Sequence, residues 1–263
     1  MQNIIIENFS SINEMLSILN TRENNSIMKY EDSSKTNGYD FTKTKSYEEA
    51  EKLITIGYTD ILDEIKMKLK IQASSNDSKP IQRNEKFGYI PNIPNSIMNL
   101  PNSMINTKRI PRKINTINLT YAPVSNCGTD KETFVENGIK ILNIINNLEK
   151  NNIRVKLSIA LKCSECGNEI TLATVNVKNY QENLNLQKLC FPIAHPSMLR
   201  RFGFRWLETT PELTESHWNG GYGQSLYNKE KIKHLLKNNE IFLTLDEIKE
   251  KTEEEILHDC YSR

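Results

Sequence analysis

The residues with the clearest chemical potential are two cysteines in the segment CSECG, Cys163 and Cys166. Two thiolates at this spacing on a tight turn can converge on one metal ion, and they form half of a zinc knuckle. A structural zinc needs four ligands, and no second pair of this type follows Cys166. Cys190 and His195 could complete a Cys3His set, so zinc at these four positions is one hypothesis.

A hairpin turn with two cysteines that bind nothing is the alternative. We favour it because the two completing residues do not form a compact pair, and we otherwise expect no cofactor. A thioredoxin-type redox role fits less well, since the motif leads into a predicted hairpin and not into a helix N-terminus. The chain has five cysteines, and we expect free thiols in a reducing compartment.

Two basic clusters could bind nucleic acid. The first contains Arg109 and Arg112, each with a neighbouring lysine. The second is RRFGFRW, in which Arg200, Arg201 and Arg205 are interleaved with three aromatic residues. Aromatic rings can stack on bases while arginines contact phosphates. The same pattern also fits a helix end whose aromatics enter the core and whose arginines bind carbonyl groups, and we favour that structural interpretation.

No other pattern predicts catalysis. The glycine-rich segment NGGYG at 219–223 lacks the lysine of a phosphate-binding P-loop. No serine, cysteine or aspartate stands at a spacing from His195 that fixes a catalytic triad, and no two carboxylates stand out as an acid and a base. We therefore expect no catalytic residues, and we lean towards a protein that is not an enzyme.

The composition sets limits on partners and location. Hydrophobic residues make up 37% of the chain, charged residues make up 25%, and the formal net charge is +1. This balance gives no global preference for nucleic acid, anionic membranes or acidic substrates. The longest apolar runs, such as Ile4–Ile6 and Val155–Leu161, are far shorter than the roughly 20 residues of a membrane span. Since the N-terminus also lacks a secretory signal, we expect a cytoplasmic protein with no membrane partner.

The best-patterned region predicts the elements that must position these residues. Residues 114–121 alternate between β-favouring side chains and predict a strand. An amphipathic helix is predicted from Lys131 to about Asn151, with strands following at 153–161 and 169–177. Strand, helix and strand form a βαβ unit with a parallel pair, and a short turn makes the next strand an antiparallel hairpin. The fold class is therefore α/β, with a βαβ core and an added hairpin.

The N-terminal part of the chain is predicted as a separate, largely helical region. Residues 1–80 are expected to be helical and partly flexible, and Ser46 and Glu49 form a capping box at the best-defined helix. The polar, proline-containing segment SSNDSKPIQR ends this region as a linker. Residues 81–263 are predicted as the α/β domain.

Three parts of that domain are distinguished. Four prolines within residues 88–112 exclude a long helix there, so this segment should wrap over a surface and pack through its apolar residues. The core spans 113–210. Amphipathic helices are expected within 229–260, which gives helical regions at both termini.

Five segments between Gly88 and Glu208 also occur in a recognisable order. They are GYIPNIPNSIMNLPNSM, TKRIPRK, INTINLTY, ENGIKILNIINNLEKNNIRVKL and FPIAHPSMLRRFGFRWLE, with SYEEAEKLITIGYTDIL upstream. This order resembles an uncharacterised family of phage-encoded proteins. The resemblance implies phage origin and a location in the host cell cytoplasm, but it brings no established activity.

The predicted core is also similar to the von Willebrand factor A arrangement, in which a strand, a long helix and a second strand begin a doubly wound sheet. The metal site of that family needs an Asp-x-Ser-x-Ser element after the first strand. The matching stretch here, YAPVSN from Tyr121 to Asn126, contains no aspartate. The resemblance therefore implies the fold without its metal site, and a fold alone does not assign a function.

These observations together favour a protein that functions by binding other molecules. The chain lacks a catalytic set, whereas its proline-punctuated segment and its RRFGFRW segment suit binding to other molecules. We expect a protein that binds a protein partner or forms a homo-oligomer, in a structural, assembly or host-directed role. The alternative is a nucleic-acid-binding accessory protein that uses a basic and aromatic surface around Arg200–Trp206.

Overall fold

The computed structural model describes residues 3–25, 32–69, 81–108, 115–125, 128–166, 169–213, 222, 232, 235–236 and 240–261. Backbone contacts divide the chain into two units. The large unit comprises Met1–Gln72 and Thr116–Arg263, and the small unit comprises Ala73–Asn115. This division does not follow the predicted boundary at residue 80, because the N-terminal region belongs to the same unit as the central sheet.

The described residues form strands and helices in the following order. The strands are β1 (Asn3–Phe9), β2 (Ile81–Glu85), β3 (Ile90–Pro91), β4 (Met104–Lys108), β5 (Asn115–Ala122), β6 (Ile153–Cys166), β7 (Glu169–Lys178) and β8 (Glu240–Thr244). The helices are α1 (Ile12–Thr21), α2 (Ser33–Thr36), α3 (Tyr39–Thr42), α4 (Tyr47–Ile56), α5 (Leu62–Lys68), α6 (Ile93–Ile97), α7 (Lys131–Lys150), α8 (Leu186–Ala194), α9 (Phe204–Thr209), α10 (Leu245–Glu250) and α11 (Glu253–Tyr261). A π-helical turn, Met198–Gly203, leads directly into α9.

A five-stranded mixed sheet forms the centre of the large unit, and it confirms the predicted α/β class. The strand order is β1-β7-β6-β5-β8. β1 runs parallel to β7 and β8 runs parallel to β5, whereas β6 and β7 are antiparallel as predicted. A register shift between Ala160 and Lys162 inserts an extra residue in β6, which extends beyond its predicted end at 161.

The long helix α7 connects β5 to β6 close to the predicted bounds. It begins after Asp130, whose side chain accepts a hydrogen bond from the backbone N–H of Thr133 at 3.0 Å. This cap satisfies one of the N–H groups that have no partner within the helix. The apolar stripe of α7 is buried against the sheet and α8, and its members include Phe134, Ile141, Leu142, Ile145 and Leu148.

The N-terminal strand β1 is missing from the prediction of a helical N-terminal region. Ile5 and Phe9 are buried while Ile4 and Ile6 are exposed, which is the alternation of a strand with one face on the core. The seven residues of β1 are too few for this period to stand out in the sequence. The first helix, α1, begins at Ile12, after the strand has ended.

The terminal helices follow their capping residues. Ser46 caps α4 by accepting a hydrogen bond from the backbone N–H of Glu49, as the capping box predicts. Amphipathic helices are predicted within 229–260, and the structure has α10 and α11 there, separated by Lys251 in an extended conformation. Residues 229–239 of that range lie outside the described residues, apart from residues 232, 235 and 236.

Apolar residues cover both faces of the central sheet. The main core lies between one face and the helices, and it includes Val155, Ile159, Ala173 and Val175. A smaller core lies on the other face, where the alternating residues of the same strands point. Its members are Ala122, Val124, Ala160, Cys163, Ile170, Leu172, Leu199, Ile232 and Phe242.

The small unit contains a three-stranded antiparallel sheet in the order β2-β4-β3. β2 pairs with β4 from Ile81 opposite Lys108 to Glu85 opposite Met104. The two-residue strand β3 pairs with the other side of β4, and α6 follows it after a single residue. The proline-punctuated segment, predicted as loops and short turns, thus contains strand β4 as well.

Candidate interaction surface

The small unit owes its order to backbone pairing on both sides of β4. The backbone N–H of Tyr89 donates to the carbonyl oxygen of Ile105 at 3.1 Å, and that of Asn92 donates to Ser103 at 2.8 Å. Gly88 lies so close to β4 that a Cβ atom there would collide with the Ile105 carbonyl oxygen. Only glycine therefore permits this approach of the β2–β3 connection to β4.

Asparagine side chains add further links within the small unit. The Asn92 side chain caps α6 and donates to Oδ1 of Asn84 at 3.1 Å. The Asn95 amide donates to the carbonyl oxygen of Asn102 at 3.2 Å, and the Asn106 amide donates to Oε2 of Glu85 at 2.9 Å. These contacts fix the chain by polar interactions, because α6 has no buried residues.

Among the described side chains of the small unit, seven large apolar ones are exposed. Phe87 is 83% exposed and Tyr89 is 90% exposed. The full set is Phe87, Tyr89, Ile90, Ile93, Ile97, Met98 and Leu100. The sequence predicted that the apolar residues of this segment pack, and these side chains do not pack within the described part of the chain. We call these seven residues the apolar face of the small unit.

The small unit is also basic. Residues 73–115 contain seven lysines and arginines against two acidic residues, a net charge of +5 in a chain whose total is +1. Arg83 and Lys86 are exposed beside the apolar face. Neither side chain makes a hydrogen bond or an ion pair within the described residues. Arg109 and Arg112, the first basic cluster named from the sequence, belong to this unit but lie outside the described residues.

The second basic cluster is buried in the large unit. Arg200, Arg201 and Arg205 are 4%, 0% and 5% exposed, and the aromatic residues between them are buried too. Arg201 donates to the carbonyl oxygens of Ser34, Lys35 and Thr44 and to the hydroxyl groups of Thr42 and Thr44, at 2.8–3.2 Å.

The other two arginines bind backbone and side-chain groups of the N-terminal region and, for Arg200, the residue Thr129 before α7. Arg200 donates to the carbonyl oxygens of Phe41 and Thr129, each at 2.6 Å. Arg205 donates to the carbonyl oxygens of Leu19 and Arg22 and to the side chain of Asn24, at 2.6–3.2 Å. The segment Arg200–Trp206 therefore does not form a basic and aromatic surface. Its arginines instead hydrogen-bond to carbonyl groups of other segments of the chain.

The cysteines and the histidine of the zinc hypothesis are separated. Cys163 lies in the smaller core and Cys190 in the main core, so the sheet stands between their side chains. The side chain of Cys166 lies outside the described residues. No three histidine, cysteine or acidic side chains among those described come together in a way that could hold a metal ion. The Cys3His set is not assembled there, and zinc binding stays a prediction.

Burial also makes these two thiols and the imidazole unreactive. Desolvation raises the pKa of the Cys163 thiol to about 12 and that of Cys190 to about 11, so neither is a thiolate at neutral pH. Desolvation lowers the pKa of His195 to about 3, which keeps the imidazole neutral. Its Nδ1 accepts a hydrogen bond from the backbone N–H of Ser197, and its ring stacks on Phe191 with centroids 4.6 Å apart.

A polar groove crosses the other face of the central sheet and was not predicted from the sequence. Its volume is about 260 Å³, and its lining includes Asn118, Ser158 and Lys156. Several of its polar groups already pair between strands. The Thr174 hydroxyl donates to Asn8 and the Thr120 hydroxyl donates to Glu240, each at 2.6 Å. Such outward-facing polar residues are also typical of a sheet face in contact with water.

The apolar face lies largely within the proline-punctuated segment 88–112 that the sequence marks, but the exposure of its side chains was not predicted. The aromatic residues on either side of Gly88 are the signal that could have marked it. The glycine-rich segment at 219–223 lies outside the described residues, apart from Tyr222. Among the described helices, none combines the length and the apolar character needed to cross a membrane.

Comparison with known proteins gives one family. The DUF7192 family, a domain of unknown function, matches residues 1–260. No curated protein and no solved structure matches the chain. Since the match covers almost the whole sequence, the chain belongs to the DUF7192 family.

Proposed function

We propose that this protein acts by binding another protein, without catalysis, through the apolar face of its small unit. The observation that carries the proposal is the exposure of seven large apolar side chains within residues 87–100. Each such side chain gains roughly 1.5–3 kcal/mol when it is fully buried. Exposed large apolar side chains concentrated in one short segment are typical of a surface that a partner covers.

The regular backbone structure of the small unit also supports the proposal. The pairing of β2 and β3 with β4 and the asparagine contacts hold the apolar side chains on a defined scaffold. A scaffold that is already ordered loses less conformational entropy when it binds. Among the described residues of the large unit, the groups with strongly shifted pKa values include two buried thiols and a neutral histidine, which do not form a competing catalytic arrangement.

Affinity capture from cells that make the protein tests the proposal. The test variant carries Phe87→Ser, Tyr89→Ser and Ile97→Ser in the full chain. The control carries Ile56→Ser and Met67→Ser, which remove apolar side chains that are 73% and 89% exposed on the large unit. Quantitative mass spectrometry should find a protein recovered with the wild type and the control, but at least about tenfold less with the test variant.

The interpretation of this experiment depends on a folding control and on the recovery with the control variant. Circular dichroism and thermal unfolding should show that the large unit of the test variant folds as in the wild type. Equal recovery of every captured protein with all three chains would then refute the proposal. Loss of the same protein with the control as well would assign the binding surface to the large unit instead.

A nucleic-acid-binding accessory role is the second candidate, and the net charge of +5 in residues 73–115 favours it. Arg109 and Arg112 would contact phosphates while Phe87 and Tyr89 stack on bases. Binding of single- or double-stranded probes should then weaken steeply with salt, and Arg109→Ala with Arg112→Ala should reduce the salt dependence. A mobility shift that is absent at low salt would remove this candidate.

We further infer a von Willebrand factor A-like core and a phage origin. The order β7-β6-β5-β8, with a helix between β5 and β6 and an antiparallel β6–β7 hairpin, supports the first inference. An experimental structure with a different sheet order would contradict it. The segments that resemble phage-encoded proteins support the second, together with an action in the host cytoplasm. Neighbouring genes for phage structure, replication or anti-defence proteins would agree with it.

A further inference from the structure

Opposite charges are concentrated in two separate parts of this chain. Residues 73–115 carry a net charge of +5. The C-terminal helices α10 and α11, residues 245–261, contain seven acidic residues against two lysines, a net charge of −5. The near-zero total of the chain therefore conceals a strongly basic segment and a strongly acidic one.

Within the described residues, several of these charges have no partner. Arg83 and Lys86 of the small unit are exposed and form no ion pair there. Asp246, Glu250 and Glu254 of the C-terminal helices are likewise exposed, and none of them makes a hydrogen bond or an ion pair to a described residue. Other acidic residues of these helices are engaged, as Asp259 is with Lys251 at 2.9 Å. The three unpaired carboxylates can therefore meet a cation from outside the chain.

We propose that the small unit of one copy docks on α10 and α11 of a second copy of this chain. The inference rests on the proposed function and names the partner. The apolar face contributes buried area, while the charges of +5 and −5 select the contact and steer the encounter. Two small units repel each other because both are basic, so the contact joins unlike surfaces.

The C-terminal helices also offer apolar side chains to the docked unit. Tyr261 is 47% exposed at the end of α11, and Leu257 one turn earlier is half-buried. Each copy presents one basic and one acidic surface, so every copy can bind two neighbours. Such head-to-tail contacts close into a ring or continue as a filament.

Sedimentation velocity of the pure full-length protein tests the docking. The first variant carries Arg83→Glu and Lys86→Glu, and the second carries Glu250→Lys and Glu254→Lys. Each should raise the dissociation constant about tenfold or more, because the net charge of one surface then falls from +5 to +1, or from −5 to −1. A mixture of the two variants should regain the wild-type affinity at one contact, where the unaltered small unit of the second variant meets the unaltered C-terminal helices of the first. The wild type should also dissociate as salt is raised.

The control reverses two exposed lysines of the large unit, with Lys45→Glu and Lys52→Glu. It changes the net charge by the same amount as the first variant, and it should associate like the wild type. A wild type that stays monomeric at low salt up to about 100 μM would overturn the inference, since a dissociation constant in this range already corresponds to a weak complex. Association that survives both reversals, or is lost equally in the control, would also overturn it.

Failure of this inference can be separated from failure of the proposed function. If the protein is monomeric but a different protein is still captured only when the apolar face is intact, the partner is heterologous. The proposed function then stands and the second copy is excluded. A salt-sensitive shift of nucleic acid probes that is lost with Arg83→Glu and Lys86→Glu, together with a monomeric wild type, would assign the basic surface to nucleic acid instead.

Discussion

Replacement of Arg201 by methionine tests whether the buried arginines are structural. The side chain of Arg201 is fully buried, and its donors meet three carbonyl oxygens and two hydroxyl groups between residues 34 and 44. Methionine keeps a similar length and apolar volume, but it has no donor. The change therefore removes the hydrogen bonds with little loss of packing.

The expected loss can be worked from these partners. The hydroxyl groups of Thr42 and Thr44 also bond to other oxygens, since Thr42 donates to the Thr44 carbonyl and the Thr44 hydroxyl is 2.9 Å from that of Ser197. Because Thr42 still donates to the Thr44 carbonyl, the carbonyl oxygens of Ser34 and Lys35 are the groups left without that donor. At about 1–3 kcal/mol for each buried unpaired acceptor, the free energy of unfolding should fall by at least about 2 kcal/mol. Some relief comes from removing a charge whose hydrogen-bond partners are all neutral.

Urea unfolding and hydrogen exchange measure the two consequences separately. The midpoint of unfolding should shift by the stated free energy, and amides of residues 33–46 should exchange faster than those of α7. Arg83→Met, at an exposed position of the small unit, is the matched control and should change stability by less than about 0.5 kcal/mol. If Arg201→Met unfolds like the control and leaves the exchange of residues 33–46 unchanged, the structural role assigned to this arginine is refuted.

Three other groups give independent predictions. Lys178→Met should cost roughly 3 kcal/mol in urea unfolding, because the side chain of Lys178 is 2% exposed and leaves the Glu149 carboxylate without its partner at 2.5 Å. Gly88→Ala should speed hydrogen exchange in the small unit without moving the unfolding of the large unit, since the new Cβ would collide with the carbonyl oxygen of Ile105. His195 should make the fold acid-sensitive: its pKa falls from 6.5 to about 3 on folding, so the unfolded chain binds the extra proton and stability drops as pH falls from 6.5 towards 3. His195→Phe should flatten this slope, and an unchanged pH dependence would contradict the assignment.

The sequence predicts best those elements whose apolar pattern repeats over many residues or that begin at a helix-capping residue. The twenty-residue helix α7 repeats its apolar stripe over several turns, and Asp130 marks its start. β6 and β7 are rich in β-branched residues and are joined by a short turn. By contrast, β1 and β8 have seven and five residues and become strands only through parallel pairing with distant strands. Pairing at such a distance leaves no periodic signal in the sequence.

The candidate sites were harder to predict because the role of their side chains depends on whether they are buried or exposed. Arginines beside aromatic residues suit a nucleic-acid surface and a buried anchor equally well until their surroundings are known. Arg201 became an anchor because a polar segment with many carbonyl groups folds over it. The small unit shows the converse case. Prolines break any period between residues 88 and 112, so no pattern in the sequence indicates which apolar side chains stay exposed.

The structure of the small unit predicts that binding of a partner would stabilise its three-stranded sheet. A sheet of three short strands without an apolar layer against it is only marginally stable in water. Phe87, Tyr89 and Ile97 could form half of such a layer, and a docked partner would supply the other half. Binding should therefore stabilise the small unit itself, in proportion to the free partner concentration relative to its dissociation constant. Slower hydrogen exchange in residues 83–106 on association, with no change in α7, would be the direct sign of this coupling.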